Sequence, residues 1–218
     1  MAADDLITGV ARQREDGMGR RIAELRARLR NASPAVLATC TGATHRVQEG
    51  ELQLSLFGDP VVVTTSDWLV LDGRTREAAS LNTQAMLLYH LATTDGSPVM
   101  GRWISFRELP GGGFYHQAFQ GYTGNEIAKH FQNRLAAFEQ AAEELNGRRE
   151  DVGDAAYTFQ ALPRIPLMVV YWLGDEDFPP SARVLFDASA GRHLPTDAFA
   201  LLGSTATRRL IATDLRKL

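Results

Sequence analysis

One cysteine and two lysines are all that 218 residues hold of those two types. Cys40 alone cannot form an intramolecular disulfide, and several thiolates are needed for a cysteine-rich zinc or iron–sulfur site. A reducing cytoplasm is therefore the expected setting, and no iron–sulfur cluster is expected. Lys129 and Lys217 stand against twenty-one arginines. That skew fits a GC-rich genome and leaves few amines for Schiff-base chemistry. No apolar run reaches the roughly 18–20 residues of a membrane helix. The opening MAADDLITGV is acidic and lacks the basic-then-apolar order of an export signal, so neither membrane insertion nor export is expected. A net charge of −3 provides no general phosphate-binding surface, and nucleic acid is not an expected partner. The histidines, at 45, 90, 116, 130 and 193, form none of the paired spacings that zinc uses.

What remains is an ordinary globular composition, 44% apolar and 22% charged, in a chain long enough to bury a substantial core. Residues 5–31 read as an amphipathic helix, with Ile7, Val10, Met18, Ile22, Leu25 and Leu29 near helical spacing. Ser33-Pro34 ends it. Residues 52–71 read as a small antiparallel meander that turns at Gly58-Asp59-Pro60. NTQAMLLYHLATTDG is apolar nearly all round and predicts a buried helix carrying His90. VMGRWISFREL predicts a strand, the glycines after Pro110 a hairpin connection, and FYHQAF the next strand. A helix should follow from a Thr123/Glu126 capping box. Its buried stripe is Ile127, Phe131, Leu135, Phe138, Ala142 and Leu145, with Gly147 as C′ glycine. NGRREDVGD reads as a polar loop. Residues 156–162 and 165–173 read as strands, the second apolar enough to be central. ARVLFD is a further strand, and a last helix runs from Thr196 to about Leu218, with Leu201, Leu202, Leu210, Ile211 and Leu215 inward. Strands and helices are grouped rather than alternating. The fold expected is α+β, a mainly antiparallel sheet with packed helices and an N-terminal amphipathic helix. The expected division is a helical appendage over 1–33 and one α+β domain over 34–218.

Candidate sites follow from residue type and alternation. In an extended strand Trp103, Ser105 and Arg107 share one face, which could stack on and clamp a planar or anionic ligand. His116, at the expected strand start, and Trp172, ending the apolar strand, are further ligand-binding candidates. After that strand comes GDED. Asp175 and Asp177 face one way when extended, with Glu176 opposite, and two convergent carboxylates suit a hard divalent cation. The same acids fit a solvated turn closed by Phe178-Pro179-Pro180, with carboxylates bonded to local N–H groups. Asp187 fits the N-cap of a short helix. Cys40 and His45 could form a nucleophile pair only if the fold joined them.

Two segments carry a resemblance: LLYHLATTDGSPVMGRWISFRELPGGGFYHQAF and ALPRIPLMVVYWLGDEDFPPSARVLFDASAGRHLP. They resemble a bacterial and archaeal family of unknown function, numbered 3786, over roughly Leu52 to Leu202. The tryptophan–acidic–Phe-Pro stretch is the most specific part. Members are often described as iron–sulfur proteins, because a cysteine-rich domain similar to the cluster-binding piece of corrinoid iron–sulfur proteins is often fused to them. With one cysteine, this chain does not carry that label over. The resemblance implies a setting near corrinoid, tetrapyrrole or one-carbon metabolism, in anaerobes, and transfers no catalytic residue.

Taken together, the sequence favours an accessory protein that binds a small polar or planar, tetrapyrrole-like ligand through Trp103, Arg107, His116 and Trp172. The alternatives are a metal-dependent transferase or hydrolase, with a divalent cation on Asp175 and Asp177 and with Glu176 or His116 as base, and a scaffold that self-associates or meets a protein partner through its N-terminal helix.

Overall fold

The computed structural model describes residues 2–216, with side chains from Asp16 onward. Helices and two antiparallel sheets occupy separate stretches of the chain, the α+β arrangement its segment order predicts. Contacts divide it into two compact units. One is the chain up to Leu54 with Pro60–Thr94; the other is Ser55–Asp59 with the chain from Asp95 onward.

The first unit contains α1 (Ala2–Leu29), α2 (Pro34–Thr41), the strands β1 (Thr44–Arg46) and β4 (Val70–Asp72), all but the facing ends of β2 (Glu51–Leu56) and β3 (Asp59–Thr64), and α3 (Leu81–Thr93). The strands meander in the order β1-β2-β3-β4. Phe57 and Gly58 both have positive φ, the geometry a tight hairpin needs, so the turn falls one residue before the Gly58-Asp59-Pro60 expected. α1 packs along α3 and buries Ile22, Leu25 and Leu29; Ile7 and Val10 lie outside the residues whose side chains are described. Arg26 bonds the Gln84 carboxamide at 2.9 Å and the Trp68 carbonyl at 3.2 Å. The Ser80 hydroxyl caps α3 by accepting the Thr83 N–H at 3.3 Å.

The second unit is built on a five-stranded sheet in the order β5-β9-β8-β7-β6. Its strands are β5 (Trp103–Ser105), β6 (Arg148–Glu150), β7 (Ala155–Leu162), β8 (Ile165–Trp172) and β9 (Ser181–Asp187). β8 lies in the middle, as its unbroken apolar run predicts. β6 sits in the stretch expected to be loop, an edge strand too short and too charged to read as one. Helices α4 (His116–Tyr122), α5 (Gly124–Phe131), α6 (Leu135–Glu144) and α7 (Thr196–Leu215) complete the unit.

Further expectations are corrected in the second unit. The strand around Trp103 stops at Ser105, and Phe106–Glu108 forms a 3-10 turn. Its signal is S-x-x-E: Glu108 accepts the Ser105 N–H at 2.7 Å and its hydroxyl at 2.8 Å. FYHQAF is not a strand. It runs into α4, where Phe119 stacks on Phe106 with centroids 4.1 Å apart. The long helix expected from Thr123 is two helices. Thr123 does not cap α5, because its hydroxyl donates to the Phe119 carbonyl at 2.5 Å. Gln132, at φ 50°, breaks the helix, and Asn146, at φ 56°, takes the left-handed position expected of Gly147.

One sheet face packs on the helices through aromatic rings. Phe138 stacks on Tyr171 at 4.7 Å and meets Phe131 edge-on at 5.5 Å, while Phe186 meets Phe199 at 4.9 Å. The inward side of α7 is Phe199, Leu202, Ala206 and Leu210; of the residues expected there, Leu215 is exposed. Asp214 of α7 clasps α5 and the segment after it, with His130 at 2.8 Å and Arg134 at 3.0 Å. Because Phe138 is fully buried at the centre of this aromatic stack, Phe138→Ala should lower unfolding free energy by about 3–5 kcal/mol. The measurement is a urea titration with an unchanged slope.

Candidate functional site

Antiparallel register determines which side chains share the second face of the five-stranded sheet. Trp103 pairs with Asp187, and Ser105 with Leu185. Leu185 pairs with Met168, and Met168 with Thr158, which pairs with Arg148. Alternation adds Pro166, Val170 and Trp172 on β8, Ala156 and Gln160 on β7, and Arg183 on β9. Ala156, Met168 and Val170 form a small buried cluster on this face, with Trp103, Trp172 and Leu185 packed against it. The helices' ring contacts fall on the opposite face, through Tyr157, Tyr171 and Phe186.

A cleft of about 490 Å³ opens beside Trp103, and its walls include Asn146, Arg148, Gln160, Pro166 and Asp187. Two local features shape it. The β7–β8 register slips between Gln160 and Leu162, a bulge beside the Gln160 wall of the cleft. The segment before β5 is tied down by Asp187, which is 1% exposed. Asp187 Oδ1 accepts the N–H of Met100 at 2.9 Å, the N–H of Ser189 at 2.9 Å and the Ser189 hydroxyl at 2.6 Å. Its Oδ2 accepts the Gly101 N–H at 2.7 Å. Burial alone would raise this carboxyl's pKa; the four donors outweigh it and hold the group below the usual carboxylate range. Arg148 pairs with Glu150 at 2.6 Å, and Gln160 donates to the Leu162 carbonyl at 2.5 Å. Farther along the face the Arg183 guanidinium lies 5.8 Å from the Trp172 ring centroid.

Of the residues singled out by sequence, the fold brings Trp103 and Trp172 to one face. Arg107 does not join them, because the 3-10 turn interrupts the alternation that would have aligned it with Trp103. His116 starts α4 and its Nδ1 lies 2.8 Å from the Gly113 carbonyl. Asp175 closes a turn: its Oδ1 accepts the N–H groups of Asp177 and Phe178 at 2.9 and 2.8 Å, and its own N–H donates to the Phe178 carbonyl. Asp175, Glu176 and Asp177 are exposed. Among the described residues, no group of three or more His, Cys, Asp or Glu side chains gathers where an ion could be held. Cys40 lies on α2 and His45 on β1. Sequence reasoning passed over Asn146, Arg148 and Gln160, which lie in segments read as loop or as ordinary strand. Asp187 it read as a cap, and Asp187 does bond the turn that follows it.

The family model for Domain of unknown function (DUF3786) matches residues 33–209. The chain belongs to that family. The match takes in both sheets, the Trp103 cleft and the acidic turn, and starts after α1. No curated protein and no solved structure matches this DUF3786 chain. Among the described residues no helix is long and apolar enough to cross a membrane.

Two predictions follow from the local chemistry of this DUF3786 unit. His193 is fully buried. Burial, aided by Arg164 and Arg192 and opposed by Asp95 and Asp187, lowers its pKa below the ordinary value. The fold therefore keeps it neutral while the unfolded chain takes up a proton below about pH 6.5, so its contribution is complete above that pH and is lost on acidification. Melting temperature should fall as the pH drops below about 6.5, and His193→Gln should flatten that slope. In the acidic turn, Asp175→Ala should cost about 1 kcal/mol through its two lost N–H bonds. Asp177→Ala, at an exposed position, should stay within about 0.5 kcal/mol of wild type by chemical denaturation.

Proposed function

We propose that this chain is a ligand-binding accessory protein that takes up a small planar molecule with a polar edge on the Trp103 face. The observation that carries the reading is the cleft itself. It joins an indole surface, a guanidinium and two carboxamides in one concavity, of a size that falls in the ordinary range for small-molecule sites. An indole offers a flat apolar surface for stacking, and a guanidinium offers fixed donors to an anionic group. The family resemblance implies surroundings of corrinoid, tetrapyrrole or one-carbon chemistry, which is consistent with a planar ligand. Asp187 supports the cleft from beneath, and its four donors make it an anchor rather than a base.

Natively purified protein provides the test. Small molecules released on denaturation are identified by mass spectrometry, from wild type and from Trp103→Ala. One planar species near equimolar in wild type, and depleted about tenfold or more in the variant, is expected for loss of a stacking anchor. Trp172→Ala, outside the cleft, should retain it. Equal loading of wild type and Trp103→Ala, or no bound species in either, overturns the reading.

A further inference from the structure

The groups around the cleft narrow the ligand's chemistry, granted that the cleft is a ligand site. Trp103 and Asp187 are directly opposed across β5 and β9, so their Cβ atoms stand about 5 Å apart. A ring laid on the indole therefore has one edge beside the carboxylate. Three of the four donors to Asp187 fall on Oδ1 and one on Oδ2, which leaves Oδ2 with acceptor capacity. Leu167 pairs with Phe186, which brings Pro166 alongside Asp187, and Pro166 pairs with Gln160. Gln160 thus lies two strands from the carboxylate, about 10 Å at the backbone, roughly the width of a two-ring heterocycle plus its hydrogen bonds. The carboxamides of Gln160 and Asn146 each offer both donor and acceptor, and Arg148 keeps guanidinium donors beyond its pairing with Glu150. The cleft wall contains no histidine, cysteine or methionine to ligate a macrocycle's metal, and a tetrapyrrole keeps its N–H groups at its centre, not on its rim.

We infer that the cleft takes a planar amino-oxo heterocycle of the purine or pterin kind. It lies on the Trp103 indole with its N–H edge toward Asp187, its opposite edge toward Gln160 and Asn146, and an anionic arm toward Arg148. Oδ2, with one acceptor position left, accepts the exocyclic amine. The carboxamides bond whichever acceptors and donors the far edge presents.

Calorimetric titration of the intact chain tests this with guanosine 5′-monophosphate, 6-carboxypterin and haemin. One of the two heterocycles should bind, and which one does so identifies the source of the ring. Gln160→Met and Arg148→Met change exposed side chains and leave the fold intact; each should weaken binding about tenfold through a lost polar contact. If guanosine 5′-monophosphate is the binder, inosine 5′-monophosphate, lacking the exocyclic amine, should be weaker by a similar factor. Haemin binding without either heterocycle overturns the inference and leaves the ligand reading standing, as does a Trp103-dependent native species that is not a heterocycle of this kind. Heterocycle binding that is equally strong in both variants also overturns it, since the contact is then made elsewhere. Failure of all three probes together with an empty native protein sinks both.

Discussion

The buried carboxylate of Asp187 is the constraint on which the Trp103 face of the sheet depends. A carboxylate taken out of water costs several kcal/mol unless it is compensated. Here compensation comes from four hydrogen bonds, three of them from backbone N–H groups. Those donors belong to two different stretches, Met100–Gly101 before β5 and Ser189 after β9. One charge therefore holds together the approach to β5 and the exit from β9. β5 is three residues long and stands at the sheet edge beside β9, so its register needs more than its few ladder bonds. Trp103, the residue opposite Asp187, inherits its position from that anchor.

The same sheet divides its labour between faces. On one, Tyr171, Phe138 and Phe131 interlock with Tyr157 and fix α5 and α6 over β7 and β8. Burial there is complete and apolar, so it contributes stability and little chemistry. On the other, the buried cluster is small, and large amphipathic side chains take the place of a packed layer: Trp103 and Trp172 cover Met168 and Val170, and Arg183 lies over Trp172. Gly153 lets the loop before β7 approach this face closely, since a Cβ there would stand 2.9 Å from Val170 and 3.2 Å from the Trp172 indole nitrogen. A face finished by side chains rather than by helices leaves room for a cleft at its Trp103 corner.

How far the sequence disclosed this depends on the range of the interaction involved. β8 was legible because a central strand is apolar on both faces, a property of each residue in turn. The Trp103 corner was half legible. Alternation found the indole and its face, but extended that face to Arg107 because nothing in a periodicity of two announces a strand end. The S-x-x-E at Ser105–Glu108 is the local mark of that end. The break at Gln132 was not legible at all. Ile127, Phe131, Phe138 and Ala142 are buried as expected, because two helices joined by a three-residue break can still turn the same stripe inward. Arg148 and Gln160 were hidden for the opposite reason: their meaning lies in cross-strand register, which brings together residues far apart in sequence and which composition does not encode.

That break also explains the acidic turn. The Gln132 carbonyl accepts the Tyr171 hydroxyl, and next to it Asn133 accepts the Gly174 N–H at 2.8 Å through its side-chain oxygen and donates to the Gly174 carbonyl at 3.4 Å. A continuous helix would have spent the Gln132 carbonyl on its own ladder and turned Asn133 elsewhere. Freed by the left-handed residue, the pair grips the end of β8 from both sides of Trp172. Asp154 adds a third hold by accepting the Leu173 N–H at 2.7 Å. With Leu173 and Gly174 fixed, Asp175 is delivered to the position from which its carboxylate closes the turn on Asp177 and Phe178. Three adjacent acids are tolerable there because one is spent on backbone N–H groups and all three face solvent, where their mutual repulsion is screened. The turn in turn sets where Ser181 begins β9, and so the register that ends, six residues later, at Asp187.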